Sequence, residues 1–586
     1  MNAKHRNHSV HAILLLVAAS LVPVQAVAQD IAAKIDHLVS QYYDVGKFNG
    51  AVLVAQDGKV IYEAGYGYAN MDWKIPNTPD TRFRVGSVTK QFTATIILKL
   101  VEQGKVSLDG KITDYIPHYP KQRGGQVTVH HLLTHTSGIP SYTGLPGFME
   151  DRSRDPYDPD EFLEQFSELD LHFEPGSEFR YSNSGYFLLG VIIEHVTGVP
   201  YAEALQEMVL APLDLRNTGY DHHKNILENR ATGYSRTFDG YEVADYLDMS
   251  LPYAAGSMYS TVRDLFKWDR LLYTDSVFED PKTKELMFTP NLANYGYGWV
   301  ITDLTIGDGG RKVKLIQHGG GINGFNTGFW RLVDDQHTIV VMDNTQGGAN
   351  LGGLRRGIAN ILYGEPADPP TRSIANALRE TIRDSGVVAA IEQYRRLKDA
   401  ESDAYDFGEP ELNNLGYHYL GASDTETAIA VFKLNVEVYP DAWNTYDSLG
   451  EAYMETGERQ LAIENYEKSL ELNPRSENGK AMLAKLGVEV DADLGKEIGV
   501  PVAILERYVG KYELRPNFVL TITLAGTQLM TQATGQSQVE IFAESETKFF
   551  LKVVEAQLQF DVGDDGVVKG VTLFQGGQEI YGKRIE

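Results

Sequence analysis

Arg84-Val85-Gly86-Ser87-Val88-Thr89-Lys90 sets a hydroxyl and an amine three residues apart, at the head of an apolar run that ends near Val101. Phe92, Ile96, Ile97, Leu100 and Val101 recur at the spacing of a helix with one buried stripe. On such a helix, side chains at i and i+3 share one face of the first turn. The unpaired N–H groups and the positive end of the dipole lie there too. A serine beside an amine at that place is a candidate nucleophile. By itself, Ser87 reads equally as a helix N-terminal residue. A second Ser-x-x-Lys match, Ser545 to Lys548, falls in a region of short alternating strands, where i and i+3 point to opposite faces.

Upstream, Gly50-Ala51-Val52-Leu53-Val54 and Lys59-Val60-Ile61-Tyr62-Glu63 flank Asp57-Gly58, the signature of a β-hairpin. Residues 31–45 carry a helical apolar stripe of Ile31, Ile35, Leu38, Val39 and Tyr42. Strand-like runs return at Gly298–Ile301, Lys312–Ile316, Gly328–Leu332 and Thr338–Met342, followed by a helix near 350–363. The first hairpin is expected to join these runs in one antiparallel sheet flanked by helices, an α+β domain over residues 30–365. Between them, residues 105–230 read as helices and irregular loops.

Two further groups stand in order after Ser87 and Lys90. Tyr181-Ser182-Asn183 precedes an apolar helix, and His318-Gly319-Gly320-Gly321 follows a strand. With these three motifs the chain resembles the serine β-lactamase and penicillin-binding-protein superfamily, closest to class C β-lactamases, D-amino-acid peptidases and related esterases. The resemblance covers roughly residues 45–345. It implies acyl-enzyme chemistry with Ser87 as nucleophile, Lys90 and Tyr181 as the proton-transfer groups, and an oxyanion hole from the N–H groups of Ser87 and Gly321. It also implies substrate contacts from Asn183, His318, Gly320 and Tyr142. His318 stands where the superfamily often has a lysine, and a neutral imidazole supplies no fixed charge for a substrate carboxylate. Esters, amides or D-amino-acid peptides are therefore expected in place of dedicated β-lactam hydrolysis. The alternatives are a penicillin-binding carboxypeptidase or β-lactamase, and a non-catalytic scaffold.

The three histidines of His130-His131-Leu132-Leu133-Thr134-His135 lack metal-ligand spacing and resemble the superfamily's loop at the site's edge. No metal or organic cofactor is expected. The chain has no cysteine, which removes thiol nucleophiles and thiolate metal sites. Its net charge of −27 argues against nucleic acid as a partner.

Past a proline-marked linker assigned to 366–384, Leu415, Gly416, Tyr419, Ala428, Phe432 and Pro440 recur 34 residues later as Leu449, Gly450, Tyr453, Ala462, Tyr466 and Pro474. That period resembles tetratricopeptide repeats, stacked helix pairs that suit a protein partner, here over 385–490 with a weaker copy around Ala390 and Tyr394. Residues 501–586 alternate in short runs (520–524, 527–533, 538–543, 548–554, 556–562, 567–574 and 578–585) separated by Gly and Asp turns. They read as a small antiparallel barrel or sandwich. At the N-terminus, Lys4 and Arg6 precede an apolar run and Ala26-Val27-Ala28. This is the pattern of a cleaved signal peptide over residues 1–28, too short for a transmembrane helix, and a secreted or periplasmic location is expected.

Overall fold

The computed structural model describes residues 29–585 other than 308–309, 347–350, 401, 491–494, 496, 516–517, 535–537, 555, 564 and 576–577. The expected signal peptide lies outside the described residues. The chain divides into two compact units at Pro370.

In the first unit a helix over residues 29–44 (α1) leads into strands Gly50–Gln56 (β1) and Lys59–Gly65 (β2). Helix Thr89–Glu102 (α2) follows. Strands Val300–Ile306 (β3), Arg311–Ile322 (β4), Phe325–Leu332 (β5) and His337–Asp343 (β6) complete one six-stranded sheet in the order β3-β4-β5-β6-β1-β2. Every pairing is antiparallel, and β1 lies against β6 with Val52 opposite Val341. The two ends of the segment thus meet in the middle of the sheet, as the hairpin and the late strand runs together require.

Both faces of the sheet are covered. Ala51 and Leu53 face a core that holds α2 and the helix Asn183–Thr197. Val52 and Val54 face a second core with Ile35, Leu38 and Val39 of α1 and with Leu354 and Ile358 of the helix Gly352–Leu362. This is why β1 reads as an unbroken apolar run and not as an alternation. The β3–β4 register ends at Val300 opposite Gln317, whereas β4 continues beside β5 to Ile322. The glycine-rich end of β4 therefore runs beyond the edge of β3.

In the second unit, helices Glu409–Gly421 and Thr425–Val438, then Trp443–Glu455 and Arg459–Leu472, form two hairpins 34 residues apart. The period has a packing cause. A Cβ on Gly416 would meet the Phe432 ring at 2.4 Å, and one on Gly450 would meet the Tyr466 ring at 3.2 Å. Each glycine lets its helix close on the aromatic of its partner. The expected linker over 366–384 is corrected here. Ile374–Ser385 is a helix with Ile374, Ala375 and Leu378 buried, and it pairs with Val387–Asp399, which carries Ala390 and Tyr394. The weaker repeat is thus a full hairpin, and its first helix begins inside the stretch assigned to the linker.

The C-terminal segment is a closed barrel of eight strands. The run 548–554 forms a strand only over Lys548–Phe550. The eighth strand, Gly510–Arg515, is absent from the sequence analysis because only Tyr512 and Leu514 point inward. It pairs with both Phe518–Ala525 and Gln578–Arg584 and so closes the ring. Among the described residues no single helix is long and apolar enough to cross a membrane.

Candidate active site

Gly86 takes φ +50°, and a single 3-10 turn, Gly86–Val88, carries Ser87 into α2. The glycine is required twice. Its backbone is left-handed, and a Cβ there would come 2.9 Å from the carbonyl oxygen of Gly321. From β4, Gly320 backs onto the same turn, where a Cβ would sit 1.9 Å from the Val85 carbonyl oxygen. These two glycines hold the Ser87 turn against the free end of β4. Gly320, expected at the substrate, packs behind the nucleophile turn. Gly321, next in the strand, lines the pocket with Gly86 and Ser87.

Lys90, one residue into α2, is fully buried. Its Nζ lies 3.1 Å from Ser87 Oγ, 2.9 Å from Asn183 Oδ1 and 2.8 Å from the Ala255 carbonyl oxygen. The face of α2 that carries Lys90 also fixes the last of these. Thr93 Oγ1 donates to Ala254 O at 2.6 Å, and Met258 N donates to Thr89 Oγ1 at 3.1 Å, so segment 254–258 is tied alongside. Burial holds the Lys90 amine well below the usual lysine range, and no carboxylate offsets it.

Asn183 opens the helix Asn183–Thr197, capped by Ser182. Its amide is spoken for at both ends, with Oδ1 on Lys90 and Nδ2 on Thr143 Oγ1 at 3.2 Å. Tyr181, 37% exposed, sets its ring 4.8 Å from Lys90 Nζ. Desolvation raises the pKa of its phenol, and a hydrogen bond with Ser87 pulls partly the other way, so it keeps its proton at neutral pH. The Tyr181 ring rests on His135, 4.2 Å between centroids. His135, buried and at φ +58°, accepts the Ser182 N–H through Nδ1 at 3.1 Å. The sequence analysis placed His135 at the site's edge without a task. The structure makes it the seat of the Tyr181–Ser182 loop.

His318 lies at 5% exposure with both ring nitrogens committed. Nδ1 is 2.6 Å from the Gly319 carbonyl oxygen, which can only accept, so Nδ1 carries the proton. Nε2 therefore accepts from the Tyr295 hydroxyl at 2.9 Å. Desolvation and the nearby Lys90 push His318 down to about 4, so it is neutral at pH 7. His318, expected at the substrate, makes a bracing contact with Tyr295, a residue the sequence analysis did not single out. Tyr142 is placed at the pocket as expected, but as an apolar wall: its hydroxyl donates to Leu251 O at 2.8 Å and its ring packs on Phe148 and Phe162. Ser545, the second match, lies in a turn and not a strand. Its Oγ accepts the Lys548 N–H at 2.9 Å, which occupies it as a turn cap. Among the described residues no group of three or more His, Asp or Glu side chains is arranged to hold a metal ion.

Three family models match the chain: Beta-lactamase over residues 35–362, Tetratricopeptide repeat over 443–476, and a domain of unknown function (DUF3471) over 495–584. A penicillin-binding protein of Bacillus subtilis is 25% identical over 566 residues, covering 93% of this chain and 97% of that one. The protein flp of Staphylococcus aureus is 28% identical over 326 residues, covering 54% and 63%. Among solved structures, a D-amino acid amidase from Ochrobactrum anthropi is 28% identical, covers 57% of this chain and 98% of its own, and has a TM-score of 0.49.

Proposed function

The chain belongs to the beta-lactamase family of serine hydrolases, and from that premise we propose that it is an exported acyl hydrolase that works through a covalent ester on Ser87. Its substrate is an ester, an amide or a D-amino-acid peptide, and its helical repeats take a protein partner.

The observation that carries the proposal is the set of three oxygens around Lys90. A neutral amine has two N–H bonds and one lone pair. The Ala255 carbonyl and Asn183 Oδ1 can only accept, so they take the two N–H groups. The third contact runs from Nζ to Ser87 Oγ, so once the amine is the free base its lone pair faces that hydroxyl. Burial pushes the amine's pKa well below the usual lysine range, which favours the free-base form that takes the hydroxyl proton. As the Ser87 Oγ–carbon bond forms, the N–H groups of Ser87 and Gly321 receive the developing oxyanion. Tyr181 protonates the leaving group as the old acyl bond breaks, which leaves a tyrosinate beside a lysine ammonium. Water then attacks the acyl-enzyme. Its proton returns Tyr181 to phenol, and Lys90 returns the first proton to Ser87 Oγ as the acid departs.

A neutral His318 supports a substrate that needs no fixed cation. Penicillin remains a useful acyl donor for a test, given the similarity to a penicillin-binding protein. Intact-mass spectrometry after incubation with a fluorophosphonate, and separately with a penicillin, is expected to show a single fluorophosphonate adduct, absent from Ser87→Ala. An adduct that survives in Ser87→Ala, or none in the wild type, refutes the assignment.

A further inference from the structure

Beside Ser87 lies a pocket of about 130 Å³. Its walls are Tyr142, Met149, Leu247, Leu251, Pro252 and Ile322. No charged side chain lines it, and the polar side chains Tyr142, Thr143, Asn183 and Asn323 each make hydrogen bonds within the fold. The Tyr142 hydroxyl is held by Leu251 O, and Thr143 is bonded to Asn183. Asp248, next in the chain to Leu247, is buried away from the pocket on Ser250 and Tyr246. Tyr181 and His318 are not part of this wall.

The two sides of Ser87 are thus chemically different, and that fixes which half of a substrate goes where. A leaving group that takes its proton from Tyr181 must depart on the Tyr181 side. The acyl group is left for the apolar pocket. Resting on the acyl-enzyme function argued above, we propose that the pocket selects a short, uncharged, apolar acyl group and rejects one that bears a carboxylate. The volume sets the length: an engineered apolar cavity of about 150 Å³ holds benzene, so roughly four to six carbon atoms fit. A carboxylate placed there would lose its water with no charged side chain in the pocket wall to replace it. His318, near β4's free end, has neither a free nitrogen nor a charge to offer. In the reaction the Ser87 Oγ–acyl bond forms as the acyl–leaving-group bond breaks, and water later supplies the oxygen that releases a short carboxylic acid.

The test compares p-nitrophenyl acetate, butyrate, decanoate and hemisuccinate on the full chain at pH 7, with fluorophosphonate labelling of Ser87 run in parallel. We expect kcat/KM to peak at butyrate, to exceed the hemisuccinate value at least hundredfold, and to fall at least tenfold at decanoate. Met149→Lys puts a cation at the wall and is expected to raise hemisuccinate relative to butyrate at least tenfold. Equal kcat/KM for butyrate and hemisuccinate, or a rate that does not fall at decanoate, overturns the pocket assignment. Labelling of Ser87 without turnover of any short ester also overturns it, while leaving the acyl-enzyme function standing. Absence of labelling removes both.

Discussion

Replacing Asn183 by aspartate changes one atom type at the most sensitive point of the site. Oδ1 of Asn183 is 2.9 Å from Lys90 Nζ, and burial alone pushes the wild-type amine's pKa well below the usual lysine range. A carboxylate at that distance attracts an ammonium by about 6 kcal/mol at an effective dielectric of about 20. Burying the new carboxylate takes back several kcal/mol. A net of about 3 kcal/mol in favour of the ammonium raises the lysine pKa by about two units. The sign follows from the protonation state that works. A raised lysine pKa leaves the base protonated at neutral pH, so activity is lost there and recovers as pH rises. The assay is the second-order rate of Ser87 labelling by a fluorophosphonate from pH 6 to 10. Asn183→Asp is expected to be slower than wild type at pH 7, with its rate profile moved up by about two pH units before it reaches a plateau. Asn183→Leu removes the acceptor without adding charge and should lose less than tenfold. If Asn183→Asp labels at the wild-type rate at pH 7, or falls with an unshifted pH profile, Lys90 is not the neutral base.

Three further outcomes follow from the packing. Gly320→Ala drives a Cβ into the Val85 carbonyl, so it should cost about 1–3 kcal/mol and slow Ser87 labelling; wild-type melting and labelling together would refute it. His318 binds no proton in the folded chain until about pH 4, whereas an unfolded histidine protonates below about 6.5. The unfolded state therefore takes up more protons between these values, and stability present above pH 6.5 drains away as pH falls. The loss from pH 7 to pH 5 should be about 2 kcal/mol larger in wild type than in His318→Gln by urea denaturation, and equal losses would sink the assignment of a neutral, buried ring. In the repeats, Phe432 is fully buried against Gly416. Phe432→Ala should cost about 3–5 kcal/mol, seen as a lowered helical melt by circular dichroism with Ser87 labelling retained; a helical melt left where it was would refute the packing role given to the glycine–aromatic pair.

The catalytic candidates were legible because their chemistry is local. Ser87 and Lys90 are three apart on one helix, so their contact follows from the helical repeat. Tyr181 and the His318 strand were legible only through order and resemblance. What they touch was not. His318 reads as a site residue at a strand end, and only its two hydrogen bonds, to Gly319 O and Tyr295, reveal that both ring nitrogens are engaged within the fold. Gly320 and Gly321 are adjacent and identical in type, and alternation along β4 sends one to the Val85 turn and the other to the pocket. The linker was misassigned at Ile374–Ser385 because prolines mark where a chain turns and not how soon a helix resumes.

The sequence by itself determined the Ser87–Lys90 pair, the hairpin and late strands of one sheet, the 34-residue helical period and the strand-rich end. Each rests on a repeat that the backbone geometry imposes locally. Tertiary structure alone decided that the Lys90 amine is buried and its pKa lowered toward the neutral form. Neutrality depends on what surrounds an amine, and here the Ala255 carbonyl, a backbone atom with no signature in any side chain, comes from 165 residues away. It likewise decided that the turn at Gly86-Ser87 is clamped by β4, and that the space beside the hydroxyl is apolar. Such facts belong to segments brought together from distant parts of the chain, and no spacing within one segment encodes them.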